Sequence, residues 1–129
     1  LDEAITLIEN PDIRHIFDPS ALAEVPITAA IAGKRIHGTI DRLLVTETEV
    51  LAIDYKTNRV VPHTPDACPE GLLRQMGAYA AALRQVFPDH DIRTAILWTR
   101  NATLMTLPDR LITNALSRAL NLDDGAVAT

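Results

Sequence analysis

RIHGTIDRLLVTETEVLAIDYK, residues 35–56, decides the architecture of this chain. Its first half alternates apolar and polar positions well enough for a strand from Arg35 to Thr46. Glu47-Thr48-Glu49 turns the chain, and Val50 to Lys56 follows as a short apolar strand with a polar end. Counting outward from that turn, Asp41 and Asp54 land near each other across the ladder. Two carboxylates so close repel one another and cost stability unless a cation sits between them. Asp54 and Lys56 are two residues apart on one strand, so their side chains project from the same face. A carboxylate there is a hard oxygen ligand for magnesium, and an ammonium beside it can orient a water and stabilise charge on a phosphoryl group. The competing reading is a solvated strand end with an incidental ion pair, in which Arg42 neutralises one acid as an ordinary surface salt bridge.

Upstream, Glu24-Val25-Pro26-Ile27-Thr28-Ala29-Ala30-Ile31 reads as a preceding strand, with Gly33-Lys34 as the hairpin turn. Gly38 marks a bulge or a close backbone approach. Farther upstream, Leu1, Ile5 and Ile8 share a helical face that Asn10-Pro11 ends, and a second short piece runs from Ile13 to Phe17. Downstream, a Pro-rich loop over 58–69 leads to the clearest helix, Gly71 to Val86, with Leu72, Met76, Tyr79, Ala80 and Leu83 on one stripe. Ile92 to Trp98 reads as a buried strand and Ala102 to Leu107 as a shorter partner. Pro108 to Leu120 is a final helix with Pro in its first turn, and Asp123 to Thr129 a frayed end. The order α-β-β-β-α-β-β-α predicts an α/β or α+β layer around one central mixed sheet.

Composition limits what such a domain can do. At 129 residues the chain fits one compact domain, and 47% apolar residues suffice to fill a core. The first residues lack the pattern of a secretory signal, and no apolar run is long enough to span a bilayer, so no membrane partner is expected. The chain starts without Met and is read as a piece of a longer protein. Cys68 is the single cysteine, which suits a reducing cytoplasm and excludes an intrachain disulfide, a four-Cys zinc site or a Cys-ligated iron–sulfur cluster. A net charge of −5 opposes strong nucleic-acid binding by this chain unaided, because phosphate neutralisation needs Lys and Arg. A cation bound among the acids would offset that charge locally.

Glu24, at the start of its strand, could add a third oxygen ligand or support a second metal ion; taken alone it is a solvated strand-start residue. Gln75 and Tyr79 stand at i and i+4 on the strongest helix and share a face, able to donate to a phosphate or to the carboxylates. Their bland reading is a core Tyr with a satisfied hydroxyl and a partly exposed Gln. His15, His37, His63 and His90 show no i, i+4 pairing, which disfavours a zinc site; His37, on the expected Asp41 face, reads as a surface His before a rim donor or distant ligand. Cys68 has no His partner, and Trp98 reads as core. No Gly-rich phosphate loop occurs.

Together these residues resemble the PD-(D/E)XK nuclease superfamily, specifically its RecB-like branch. The matching pieces are Gly38-Thr39-Ile40-Asp41-Arg42, then Ile53-Asp54-Tyr55-Lys56-Thr57-Asn58, then Gln75-Met76-Gly77-Ala78-Tyr79, in the family's order. Ala23-Glu24-Val25-Pro26, Asp54 to Arg59 and Leu73-Arg74-Gln75-Met76 are similar to the C-terminal nuclease of AddA-type helicase–nucleases. The resemblance spans roughly Ala23 to Pro108; each motif alone is weak and the ordered trio is specific.

The resemblance implies an α/β, restriction-endonuclease-like core with a central mixed sheet flanked by helices. It implies a magnesium-dependent DNA nuclease, with manganese able to substitute, acting as an exonuclease within a helicase–nuclease for double-strand-break repair. By that likeness Asp41 and Asp54 would ligate the metal with the backbone carbonyl of Tyr55, and Lys56 would act on the attacking water. Glu24 matches an acidic residue of the branch, and Gln75 and Tyr79 a helix motif that orients the site and contacts the nucleic-acid backbone. Its partners would be DNA, as a single strand or unwound end, and a second subunit of AddB type; ATP would serve only a helicase part outside this chain. An upstream helix carrying a His and a Leu-Glu pair, usual in the family, has no counterpart here. Two other readings stand beside this one: a non-catalytic nuclease-like module that guides DNA or holds a partner subunit, and a stand-alone RecB-like exonuclease.

Overall fold

A computed structural model describes residues 22–128, with side chains described through Leu120. The helical pieces expected over 1–8 and 13–17, His15 included, lie outside the described residues. β1 (Leu22–Ile31) and β2 (Lys34–Val45) form an antiparallel hairpin. Ala32 and Gly33 close it, both left-handed with φ of 51° and 79°. Two left-handed residues make the mirror-image turn whose twist matches the strands it joins. The turn therefore falls one residue earlier than Gly33-Lys34, and Lys34 enters the ladder opposite Ile31.

β3 (Glu49–Lys56) returns antiparallel to β2. Between them the Thr46 hydroxyl accepts the amides of Thr48 and Glu49 at 3.3 and 3.0 Å, so a side chain satisfies what the short turn leaves open. A 3-10 turn (Pro65–Ala67) interrupts the Pro-rich loop and leads into α1 (Glu70–Val86). β4 (Asp91–Trp98) then runs parallel to β3, and β5 (Thr103–Leu107) antiparallel to β4. α2 (Asp109–Ala128) closes the described chain. The order β1-β2-β3-β4-β5 contains one parallel pair among antiparallel ones, the mixed α/β sheet expected of a restriction-endonuclease-like core.

Most boundaries shift by one residue from the sequence reading, and three differences have a physical reason. β1 starts at Leu22, two residues before Glu24. The Pro108 carbonyl accepts the amides of Leu111 and Ile112, so Pro108 caps α2 instead of lying in its first turn. The backbone of α2 continues through the stretch expected to fray, since 121–128 contains no Pro and one Gly costs only about 1 kcal/mol in a helix.

The core lies between the sheet and the two helices. Ile27, Ile40, Leu43, Ala52, Ile96 and Trp98 on the sheet meet Leu73, Met76, Ala80 and Leu83 of α1 and Ile112 and Ala115 of α2. The opposite face of the sheet carries a smaller cluster of Ile53, Ala95 and Leu97, all fully buried. Among the described residues no helix is long and apolar enough to cross a membrane.

α1 and α2 touch where Gly77 lacks a side chain. A Cβ there would stand 2.3 Å from the Ile112 carbonyl oxygen and 3.2 Å from Leu116 Cβ. Gly to Ala inside a helix ordinarily stabilises by about 1 kcal/mol. Here backbone meets backbone, and overpacking of that kind costs about 1–3 kcal/mol. Gly77→Ala is expected to lower stability by about 1 kcal/mol net in chemical denaturation, the reverse of its propensity; a gain would show that the helices part freely.

Candidate active site

The β2–β3 ladder pairs Val45 with Val50 and ends at Arg42 with Ile53, although both strands continue. Asp41 and Asp54 occupy the next rung. There the Tyr55 amide donates to the Asp41 carboxylate, Oδ2, at 2.8 Å. A side chain thus takes a hydrogen bond that a neighbouring carbonyl would otherwise accept, and the strands separate without orphaning the Tyr55 N–H. β1 is disturbed at the same level. Its pairing with β2 runs from Ala23–Arg42 to Val25–Ile40 and skips Glu24, whose φ is 51°. Glu24 is therefore the third residue of β1, exposed and level with Asp41, in a left-handed conformation that costs roughly 1–2 kcal/mol for a residue with a Cβ.

Asp54 is 6% exposed. Its Oδ2 lies 3.1 Å from Lys56 Nζ, yet has no partner in hydrogen-bonding geometry. Burial raises the Asp54 pKa above its ordinary 3.8; Lys56 pulls the other way, and the negative charge of Asp41 adds to the rise. Lys56 itself is about one-third exposed (34%), so its ammonium reaches both the acid and solvent. The arrangement is an under-compensated pair of acids with a cation at its rim.

Such a donor set suits a hard divalent cation. Magnesium keeps several waters and is commonly held by one or two carboxylates. Among the described residues no three His, Cys, Asp or Glu side chains gather into a larger metal cluster. Asp41 and Asp54 are thus the pair that could hold a metal, and the buried, unsatisfied Oδ2 of Asp54 is the observation that favours it.

The Gln75–Tyr79 pair is built into the same region. Gln75 Nε2 donates to the Tyr79 hydroxyl at 3.2 Å, and that hydroxyl donates to the Thr39 carbonyl at 3.3 Å. The Tyr79 ring rests on Gly38, where a Cβ would stand 2.5 Å from Cε1. Gly38 is therefore the close backbone approach and not a bulge, since the β1–β2 register passes through it without an extra residue. Burial, with the charges of Asp54 and Asp41, pushes the Tyr79 phenol up, so it stays protonated and a donor.

Other candidates are engaged with partners other than the acids. Arg42 Nε donates to the Tyr55 hydroxyl at 3.0 Å, beside Ile53 on the far face of the sheet. His37 is exposed, with Nδ1 3.2 Å from the Thr28 hydroxyl. The His90 Nε2 is 3.0 Å from the Thr46 carbonyl oxygen. The Cys68 thiol is buried against Met105, and burial raises its pKa, the opposite of an activated nucleophile. Trp98 is fully buried in the core. Two features escaped the sequence reading: the Tyr55 amide that fixes Asp41, and Arg74, which lines a cleft beside Lys56, Gln75 and Tyr79. An amide carries no sequence signal. Arg74 could have been noticed as the cation adjoining Gln75 on α1.

The family model of the PD-(D/E)XK nuclease superfamily matches residues 6–119, most of the chain and all of the elements that build this site. The chain belongs to the PD-(D/E)XK nuclease superfamily. Its members are generally metal-dependent nucleases, in keeping with the acid pair and the lysine. The crystal structure of SSO0001 is similar at 18% sequence identity and a TM-score of 0.49, with 94% of this chain and 65% of that chain covered. No curated protein matches.

The buried acid makes stability depend on pH with a definite sign. Because the folded-state pKa of Asp54 is raised, the folded protein holds this proton more tightly than the unfolded chain. Its stabilising contribution is full below 3.8 and is lost as pH rises through the folded pKa. In chelator, Asp54→Asn is therefore expected to unfold at a higher temperature than the wild type at pH 7, the two converging below 3.8. A variant less stable than wild type at pH 7 would show that the Lys56 pair outweighs burial.

Proposed function

We propose that this chain is the magnesium-dependent DNA nuclease domain of a RecB-like, AddA-type helicase–nuclease, cutting as an exonuclease in double-strand-break repair. The observation that carries the nuclease reading is the separated rung: Asp41 and Asp54 side by side, one oxygen buried without a partner, and the Lys56 ammonium 3.1 Å from it. The likeness of Asp54 to Arg59, and of Ala23 to Pro26, to AddA-type sequences supports the narrower assignment. In that setting DNA would arrive as a single strand or unwound end. A second subunit of AddB type would be the partner, and ATP would be consumed outside this chain.

Asp41 and Asp54, with the Tyr55 carbonyl, would hold magnesium, or manganese in its place. When bound, the metal would polarise a phosphoryl oxygen and lower the pKa of a water. The protein's own groups do the rest. The Tyr55 amide holds the Asp41 carboxylate through Oδ2 beside the end of the β2–β3 ladder. Lys56 orients the attacking water and stabilises the charge that grows on the phosphoryl oxygens; preorganised donors of that kind contribute about 10²–10³-fold in rate. Glu24 is level with Asp41 on the edge strand but does not join Asp41 and Asp54 in one cluster, so a role for it would need the bound metal or DNA to draw it in. Gln75 and Tyr79 tie α1 to β2 at Thr39, and the exposed Gln75 amide can donate to a backbone phosphate.

In the longest natural form of the protein, with manganese or magnesium, Asp54→Ala is expected to abolish DNA cleavage and leave any helicase activity intact. Lys56→Gln should lower kcat by about 10²-fold with little change in KM, because its charge matters most in the transition state. Unimpaired cutting by Asp54→Ala would remove the site assignment. Failure of the wild type to cut any DNA would favour a non-catalytic, DNA-guiding or subunit-holding module.

A further inference from the structure

Beside the acids lies a cleft of about 550 Å³ between β2, α1 and α2. Its walls are mostly aliphatic: Ile36 from β2, Leu72 and Ala78 from α1, and Leu116, Ala119 and Leu120 from α2. Its polar groups are His37, Lys56, Arg74, Gln75 and Tyr79, and among the described residues no acid lines it. That is notable in a chain with 17 acids against 12 Lys and Arg. Most of the protein's surface charge repels a nucleic acid, and this recess does not. It is continuous with the candidate site through Lys56, Gln75 and Tyr79.

The chemistry of the recess matches one nucleotide next to the phosphate being cut. A base offers two flat apolar faces and needs walls that exclude water; its flanking phosphate needs a cation. We propose, resting on the nuclease reading above, that this cleft receives one nucleobase adjoining the scissile phosphate, and that Arg74 grips the neighbouring backbone phosphate. Among the described residues the walls carry no aromatic ring except Tyr79, whose ring is committed to Gly38. The base is therefore held by shape and burial, not by stacking, and without sequence choice. Arg74 stands at position i beside Gln75 on α1, so one helix presents the guanidinium and the amide to successive parts of the backbone.

The test compares binding of two oligomers of equal length and charge, oligothymidylate and the same phosphodiester chain with every base removed. Fluorescence anisotropy is read with the full chain, calcium replacing magnesium to prevent cutting, over a range of salt. Wild type is expected to prefer oligothymidylate by about fivefold, toward the low end for a base because the walls are aliphatic. Ala119→Trp fills the cleft and should erase that preference while leaving the base-free chain bound as before. Leu120→Glu, on a partly exposed position of the same helix, should do likewise should the first variant fail to fold. Arg74→Gln should weaken both oligomers equally and reduce the salt slope by about 0.7, one phosphate contact on a single strand. Equal binding of both oligomers by wild type, or a preference that survives Ala119→Trp and Leu120→Glu, overturns the base pocket while leaving the nuclease reading intact. An unchanged salt slope in Arg74→Gln overturns the phosphate grip. Wild type that binds neither oligomer in calcium and cuts neither in magnesium defeats the nuclease reading and this inference together.

Discussion

The hydrogen bond from the Tyr55 amide to the Asp41 carboxylate is the constraint on which the site depends. A sheet cannot hold two acids side by side on a regular rung and also leave room for a ligand between them. Here the β2–β3 ladder stops after Arg42–Ile53, and Asp41 reaches across to the backbone that would otherwise lose its partner. The left-handed Glu24 of β1, which the β1–β2 pairing skips, falls on the same level. Tyr79 limits the disturbance from above, its ring on Gly38 and its hydroxyl on Thr39.

What makes this geometry useful also makes it costly. Asp54 is buried beside a second acid, and Lys56 compensates it only in part. A neutral side chain would suit the folded protein better in the absence of a cation. That is the usual mark of a group kept for chemistry, since perturbed acids gather at functional sites. On the proposed reading, the same imbalance would let a chain of net charge −5 address phosphate: a cation held by the acids would offset their charge, and among the described residues no acid lines the adjoining cleft.

Much of this arrangement is legible in the sequence. Residues 35–56 carried the hairpin, its turn and the register that opposes Asp41 to Asp54, because strand alternation has a period of two and the turn is short. The helix from Gly71 and the parallel strand ending at Trp98 were equally plain from their apolar runs. The one-residue error at Gly33 arose because turn chemistry depends on two consecutive left-handed residues, and Ala32 does not advertise one. The left-handed Glu24 and the end of the β2–β3 pairing were invisible for a related reason: both are backbone events. His37 was expected on the Asp41 face by counting alternation along β2. The structure has it bonded to Thr28 and exposed, while Ile40 and Leu43, three apart, both reach the core, so strict alternation does not hold across Asp41. The position of Arg74 on the cleft wall required knowing how α1 crosses the sheet.

A single cation-binding centre formed by Asp41 and Asp54 is what the proposed chemistry requires. Its most direct test is a calorimetric titration of manganese into the chain, repeated with Asp41→Ala and Asp54→Ala. Saturable binding by the wild type that is lost in both variants is the predicted result. Binding that persists undiminished when either acid is removed would contradict it.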